Sequence, residues 1–213
     1  MSGPMHDFTR GAYEDRYRSS AALWSGRPNA QLVAEAADLA PGTALDVGCG
    51  EGADALWLAE RGWRVTGVDF ADTALARAAG YAEERGPEVA ARVCWEQADL
   101  TAWTPPASAF DLVSAHFFHL PGDQRRGVFG RLADAVAPGG TLLIVGHSAM
   151  DLHASMHRPD IPGMFWTAEE IADSLDADRW NMLVAEARPR PGRDPEGREL
   201  TLHDAVLRAC RRR

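Results

Sequence analysis

Three aspartates around a glycine-rich turn carry most of the chemistry in this sequence. Leu45-Asp46-Val47-Gly48-Cys49-Gly50-Glu51-Gly52 runs from a short apolar stretch into a helical one. Glycine lets a ligand approach the backbone closely and tolerates positive φ. The helix that follows offers N–H groups and the positive end of its dipole. Any nucleotide-like ligand can use such a turn, and Gly48, Gly50 and Ala53 also satisfy the dinucleotide fingerprint G-x-G-x-x-G/A. Asp46 precedes the first glycine by two residues, at a strand end under the loop. A carboxylate there suits a cationic ligand portion, or holds the loop's own N–H groups, and is awkward beside a pyrophosphate. Asp69, in Gly67-Val68-Asp69-Phe70, closes the next strand and can accept from both hydroxyls of a ribose. Asp99, in Gln97-Ala98-Asp99-Leu100, follows the third strand. It can accept from an adenine amino group while Leu100 packs on the ring. The dinucleotide fingerprint has no place for that third acid.

Five of the seven histidines, His116, His119, His147, His153 and His157, follow the fourth and fifth strands. In open α/β sheets ligands bind beyond the C-terminal strand ends, so these side chains can surround a reacting group. An imidazole titrates near neutral pH and suits a general base. His116 is the first choice for that role and His119 the second; the alternative is a histidine that bonds a loop or lines a cofactor pocket. His153 and His157 are four apart, and with His147 and Asp151 or Asp160 they have the makings of a metal site. Pro159 and Pro162 interrupt any long helix there, and no metal is expected. Residues 148–166, with Met150, Met156, Met164, Phe165 and Trp166, read instead as a substrate lid. Arg16, Arg18 and Arg27 either hold an anionic substrate group or pair at the surface with Glu14 and Asp15.

The elements that must position these residues alternate. Strands are expected over 43–47, 64–68, 91–97, 110–115 and 141–145, with helices over 53–61, 73–85 and 123–136 between them. Four βαβ-like units with apolar strands mean a parallel sheet covered by helices on both faces. A short helix and a loop precede them, then a helix capped by Asn29 and stopped by Pro41-Gly42. After them Thr167-Ala-Glu-Glu170 is a capping box. Residues 181–188 and 199–209 read as a terminal antiparallel pair, joined by a turn over the Pro- and Gly-rich stretch 189–198. One domain suits 213 residues. It divides into entry helices 1–40, a cofactor-binding core 41–147, the lid 148–166, and a C-terminal helix and strand pair 167–213.

A net charge of −9 disfavours nucleic acid and anionic membranes, which need clustered positive charge. Arg208 and Arg211 to Arg213 are the basic exception and read as a frayed tail. Three distant cysteines argue against a disulfide framework; Cys49 and Cys94 are expected to be small buried hydrophobes. No stretch approaches the ~20 apolar residues that span a bilayer, and the polar N-terminus lacks a signal-like run. A cytoplasmic protein, monomer or homodimer, is expected.

Asp-Val-Gly-Cys-Gly-Glu-Gly, Val-Asp-Phe, Ala-Asp-Leu, Phe-Asp-Leu-Val and Ala-Pro-Gly-Gly occur in this order between Asp46 and Val145. Together they resemble the successive motifs of class I S-adenosylmethionine-dependent methyltransferases. The resemblance implies an α/β, Rossmann-like doubly wound sheet of seven strands, mostly parallel with an antiparallel terminal strand. It implies S-adenosylmethionine as cofactor, S-adenosylhomocysteine as product and a small-molecule acceptor. It sets Gly48 and Gly50 against the cofactor backbone, Asp69 on the ribose, and Asp99 with Leu100 at the adenine. Residues 17–29 resemble the entry segment of small methyltransferases of the tellurite-resistance and thiopurine type, which folds over the methionine end of the cofactor. Trp24 is then either a cover, gaining ~0.5–2 kcal/mol from a nearby sulfonium, or a plain hydrophobic anchor. The cofactor-binding set becomes Trp24, Asp46, Gly48, Cys49, Gly50, Asp69, Phe70, Asp99, Leu100 and His116. Two other functions fit the glycine turn: an NAD(P)-dependent oxidoreductase, which leaves Asp99 without a task, and a non-catalytic cofactor-binding protein.

Overall fold

The computed structural model describes residues 9–118, 120, 122–151, 165–194 and 196–213. Its strands are β1 (Thr43–Val47), β2 (Arg64–Asp69), β3 (Val93–Gln97), β4 (Phe110–His116), β5 (Val136–Ser148), β6 (Phe165–Trp166), β7 (Trp180–Arg193) and β8 (Glu199–Arg211). Its helices are α1 (Arg10–Ser19), α2 (Ala30–Ala36), α3 (Ala53–Glu60), α4 (Asp72–Glu84), α5 (Pro87–Ala90), α6 (Gly122–Ala135) and α7 (Ala168–Ala172). The strand order is β3-β2-β1-β4-β5-β8-β7, with the two-residue β6 beside β5. β1 to β5 pair in parallel, and β8 runs antiparallel to both of its neighbours. The expected seven-stranded sheet is therefore present, with β6 as a small addition. The order reverses between β1 and β4, and that reversal opens the crevice in which doubly wound sheets bind ligands.

Successive side chains on a strand point to opposite faces, and the core divides accordingly. Leu45, Val113, Leu142 and Ile144 pack on one face with Leu132, Phe129 and Ile171 of α6 and α7. Ala44, Leu112, Leu143 and Val145 pack on the other with Leu32 of α2 and Leu58 of α3. The same alternation directs Asp46, Ser114 and His116 toward the α3 side. Asp46 lies opposite Ser114 across β1 and β4, and His116 is one pleat further on.

Several boundaries differ from the sequence reading. β5 begins at Val136, so Pro138-Gly139-Gly140 lies inside a strand rather than before one. The stretch 189–193, expected in a turn, continues β7, and only residues 194–198 connect it to β8. Arg208 and Arg211 belong to β8, between β5 and β7, and do not form a frayed tail. Arg208 donates to Glu35 at 3.2 Å, and Arg211 donates to Ser108 at 2.9 Å. Cys94 is exposed, because β3 is a sheet edge, and Cys49 is half-buried. Of the expected lid, residues 152–164 lie outside the described residues; its two ends form a 3-10 turn at Ala149–Asp151 and the strand β6.

Candidate active site

Gly48, Gly50 and Gly52 all take positive φ, at 70°, 53° and 82°. The turn they form is held from within. Gly48 and Cys49 donate their N–H groups to the Val68 carbonyl at 2.8 and 3.1 Å, and Gly52 donates to Cys49 at 2.9 Å. Gly50 donates to the Asp69 carboxylate at 2.9 Å. These four N–H groups are thus spent within the protein. A pyrophosphate needs such donors, so the turn is poorly equipped for a dinucleotide. Asp69, not Asp46, ties the loop. Gly52 has a packing reason as well: a Cβ there would lie 2.6 Å from the Trp95 ring and 2.9 Å from Ala78.

The three acids stand at neighbouring strand tips, in the order β3, β2, β1. Asp69 is buried and accepts from Ala71 N–H at 2.9 Å as well as from Gly50. Burial pushes its carboxyl above the usual range, and the backbone N–H bonds partly offset this. Phe70 N–H is a further donor to it, which leaves acceptor capacity for one more partner. Asp99, two residues past β3, is exposed; Thr101 donates N–H and O–H to its Oδ1 at 2.9 and 2.7 Å and holds its pKa down. Leu100 beside it is buried. Phe70 packs with Tyr13, Tyr17, Ala71 and Ala74, its ring 5.4 Å from that of Tyr13.

Asp46 is 2% exposed and its Oδ2 has no hydrogen-bond partner. Burial first, and the nearby Asp54 next, push its carboxyl well above the usual range, against an N–H bond from Ala55. Asp54, in the first turn of α3, accepts from Asn29 N–H at 2.6 Å and meets His116 Nδ1 at 2.8 Å. The His116 side chain is 4% exposed, and its Nε2 is also buried without a partner. Asp46, Asp54 and His116 each bring an atom within 4.8 Å of the others. A separation of 2.8 Å between Nδ1 and Oδ2 is that of a hydrogen bond. The trio offers one open carboxylate oxygen and one open imidazole nitrogen.

Comparison with known proteins bears on this geometry directly. Residues 44–140 match the family model described as "Methyltransferase domain". The 2-heptyl-1-hydroxyquinolin-4(1H)-one methyltransferase of Mycobacteroides abscessus is 32% identical over 62% of this chain and 61% of its own length. A trans-aconitate 2-methyltransferase of Rhizobium meliloti is 38% identical over 68% of this chain and 52% of its own. The chain thus spans about half to three fifths of the length of these two curated relatives. A solved structure titled "Conversion of a Disulfide Bond into a Thioacetal Group during Echinomycin Biosynthesis" is 28% identical, with a TM-score of 0.73 over 95% of this chain and 92% of that one. TehB from Haemophilus influenzae shares the fold, at 19% identity and a TM-score of 0.67 over 96% of this chain and 68% of that one. Residues 44–140 form a class I S-adenosylmethionine-dependent methyltransferase domain. S-adenosylmethionine is the cofactor that goes with this family.

The rest of the methyltransferase's site divides into what the sequence located and what it missed. Trp24 is 54% exposed, and its Nε1 donates to the Tyr17 hydroxyl at 3.0 Å. Both groups overhang the glycine turn: a Cβ on Gly50 would lie 3.1 Å from Tyr17 Oη and 3.3 Å from Trp24 Nε1. Of the other histidines, His147 lies between the rings of Phe117 (4.8 Å) and Phe165 (6.0 Å). His119, His153, His157 and Asp160 lie outside the described residues, and Asp151 accepts from His203 N–H at 2.6 Å and meets its Nδ1 at 2.8 Å. Arg18 pairs with Glu14 at 3.4 Å and Arg16 stacks on Tyr13 at 5.0 Å, so both take the surface role. The sequence reading missed Asp54, Glu51 and Arg77. Asp54 had a signal: an acid in the first turn after the glycine loop must face the strand tips. Phe117 is a further addition, with a positive φ of 50° directly after His116, the kind of backbone strain that gathers at functional sites.

No helix among the described residues is long and apolar enough to cross a membrane.

Proposed function

We propose that this protein transfers the methyl group of S-adenosylmethionine to a small-molecule acceptor beside His116. The carrying observation is the set of three acids at adjacent strand tips, around a glycine turn whose described N–H bonds are spent internally. That arrangement suits adenosine, which needs acceptors, and not a pyrophosphate, which needs donors. Asp69 would accept from the ribose and Asp99, through its unengaged Oδ2, from the adenine amino group over Leu100. Gly48, Cys49, Gly50 and Phe70 supply the backbone and ring surface around them. Asp46 Oδ2, buried and unpartnered, suits the ammonium of the methionine portion. Tyr17 and Trp24 would cover that end.

The bound cofactor supplies an electrophilic methyl carbon, and the protein aligns the acceptor and takes its proton where it carries one. His116 is the base: Asp54 fixes Nδ1, as the orienting acid of a dyad does, and leaves Nε2 to receive the proton. Phe117, His147 and Phe165 form an aromatic wall next to it, and Arg190 stacks on Phe117 at 5.9 Å. Such a wall suits a planar organic acceptor. The two curated relatives are named for a hydroxyquinolone and for trans-aconitate, which supports an acceptor of that size. The net charge of −9 supports an enzyme that leaves nucleic acid alone, and a cytoplasmic monomer or homodimer is part of the proposal.

The test is methyl transfer from tritiated cofactor across phenol, carboxylate, thiol and amine acceptors. His116→Ala is expected to lower turnover by about 100-fold or more while S-adenosylhomocysteine affinity changes by less than about threefold. Equal loss of both makes His116 structural. Retention of NAD without retention of S-adenosylmethionine discards the reading altogether.

A further inference from the structure

One ion pair in the methyltransferase core is itself assigned neither to cofactor nor to acceptor. Glu51 lies in the glycine turn and Arg77 in α4, and they meet at 2.7 Å, with the Glu51 side chain 5% exposed. A pair this buried repays its desolvation only if its remaining donors and acceptors are also filled. Here one segment of chain fills them. Arg77 donates to the carbonyls of Tyr17 and Ser20. Glu51 accepts from the N–H groups of Leu23 and Trp24, each at 3.1 Å. Two side chains from different parts of the core thus hold four backbone groups between residues 17 and 24.

Little else holds this stretch. Residues 20–28 form no helix or strand, Leu23 is only partly buried against Tyr17, and Trp24 is mostly exposed. Burial therefore does not fix its position, and the polar contacts must. Yet Trp24, within it, places Nε1 over Gly50 beside the hydroxyl of Tyr17, which α1 holds buried. We propose that Glu51 and Arg77 are positioning residues, a clamp that seats the entry segment over the glycine turn, so that cofactor retention depends on an ion pair acting through residues 17–24. The proposal rests on the reading of that turn as the cofactor site.

Trypsin reads the clamp without reference to activity. The Arg18–Ser19 bond lies between the two carbonyls that Arg77 holds, and Arg18 is exposed, so cleavage there reports how often the segment lifts. The full chain would be cut under native conditions, the sites identified by mass spectrometry, and S-adenosylhomocysteine affinity measured by calorimetry. Arg77→Met and Glu51→Gln are each expected to speed cleavage after Arg18 by about tenfold or more, and to weaken S-adenosylhomocysteine by about tenfold. The double variant should match the worse single one, because losing either partner opens the clamp. Arg85→Met removes the surface pair with Glu60 at the end of the same helix and should change neither reading. Arg77→Lys keeps a charge against Glu51 but loses the fork that reaches two carbonyls. It is expected to fold and to open at an intermediate rate, which keeps the test decisive if Arg77→Met does not fold. Wild-type cleavage in folded Arg77 and Glu51 variants, or effects that simply add, would overturn the clamp. Failure of the wild type to bind S-adenosylhomocysteine would instead overturn the cofactor reading, and the cleavage arm would still decide the clamp.

Discussion

Removing the Asp69 carboxylate should damage stability and cofactor binding by separable amounts. In the free protein Asp69 accepts from two buried backbone N–H groups, Gly50 and Ala71, both at 2.9 Å. Asp69→Ala leaves both without a partner, at about 1–3 kcal/mol each, while relieving the burial of a carboxylate that the site already disfavours. A net loss of about 1–3 kcal/mol follows, roughly 3–10 °C in Tm for a chain of this size. Cofactor binding loses a further charge-assisted contact to the ribose, about 1.5–3 kcal/mol, or roughly 10- to 150-fold in Kd. Urea unfolding gives the first figure and calorimetry with S-adenosylhomocysteine gives the second. Asp69→Asn sharpens the test, because it keeps one acceptor and turns the other toward an N–H as a donor. It should be no more stable than the alanine variant. A folded Asp69→Ala protein that binds S-adenosylhomocysteine like the wild type refutes the ribose contact; one with unchanged Tm refutes the tie between Asp69 and the glycine turn.

Asp46→Asn should show a pH-dependent gain in stability without ligand. Burial raises the Asp46 pKa in the folded state, so its contribution is fully present below the unfolded carboxylate range and is lost as pH rises through the raised value. The variant should therefore gain on the wild type as pH rises above the unfolded carboxylate value of about 4, and thermal melts that run parallel from there to neutral pH would contradict the assignment. The same variant should bind S-adenosylhomocysteine more weakly. Gly52→Ala should destabilise by about 2–4 kcal/mol in urea, since a left-handed backbone and a Cβ 2.6 Å from Trp95 add their costs. A loss below about 1 kcal/mol would show that Trp95 gives way.

Much of this site was legible because its signals are local. A glycine turn between strand and helix, and acids at the next two strand tips, depend on residues within a few positions of one another. What escaped depends on contacts across the sheet. Glu51 and Arg77 lie 26 residues apart and their shared partners lie in another segment again, so no spacing announces them. The terminal hairpin was misjudged for a different reason. Pro189, Pro191 and Gly192 read as turn formers, but β7 is the edge strand. There alternate N–H groups face away from the partner, so prolines two apart cost the ladder nothing. The C-terminal arginines misled in the same way: a run of charge looks solvated until β8 is found between two strands, with Glu35 waiting on α2 for Arg208.

The pleat explains why Asp46 and His116 belong to one device. Alternation on β1 and β4 sends both toward α3, and the first turn of that helix delivers Asp54 between them. An unpartnered polar atom in such a place costs about 1–3 kcal/mol, and this cluster carries two, Asp46 Oδ2 and His116 Nε2. They differ in kind. A carboxylate oxygen whose burial disfavours its charge gains most from a cation, and an imidazole nitrogen held from behind by a carboxylate gains most from a proton. Under the proposed function the ammonium of the cofactor answers the first and the acceptor answers the second. The stability given up in the free protein would then be recovered in two steps, one for each ligand. A folded core seeking only stability would have filled the same positions with the apolar residues that flank them on both strands.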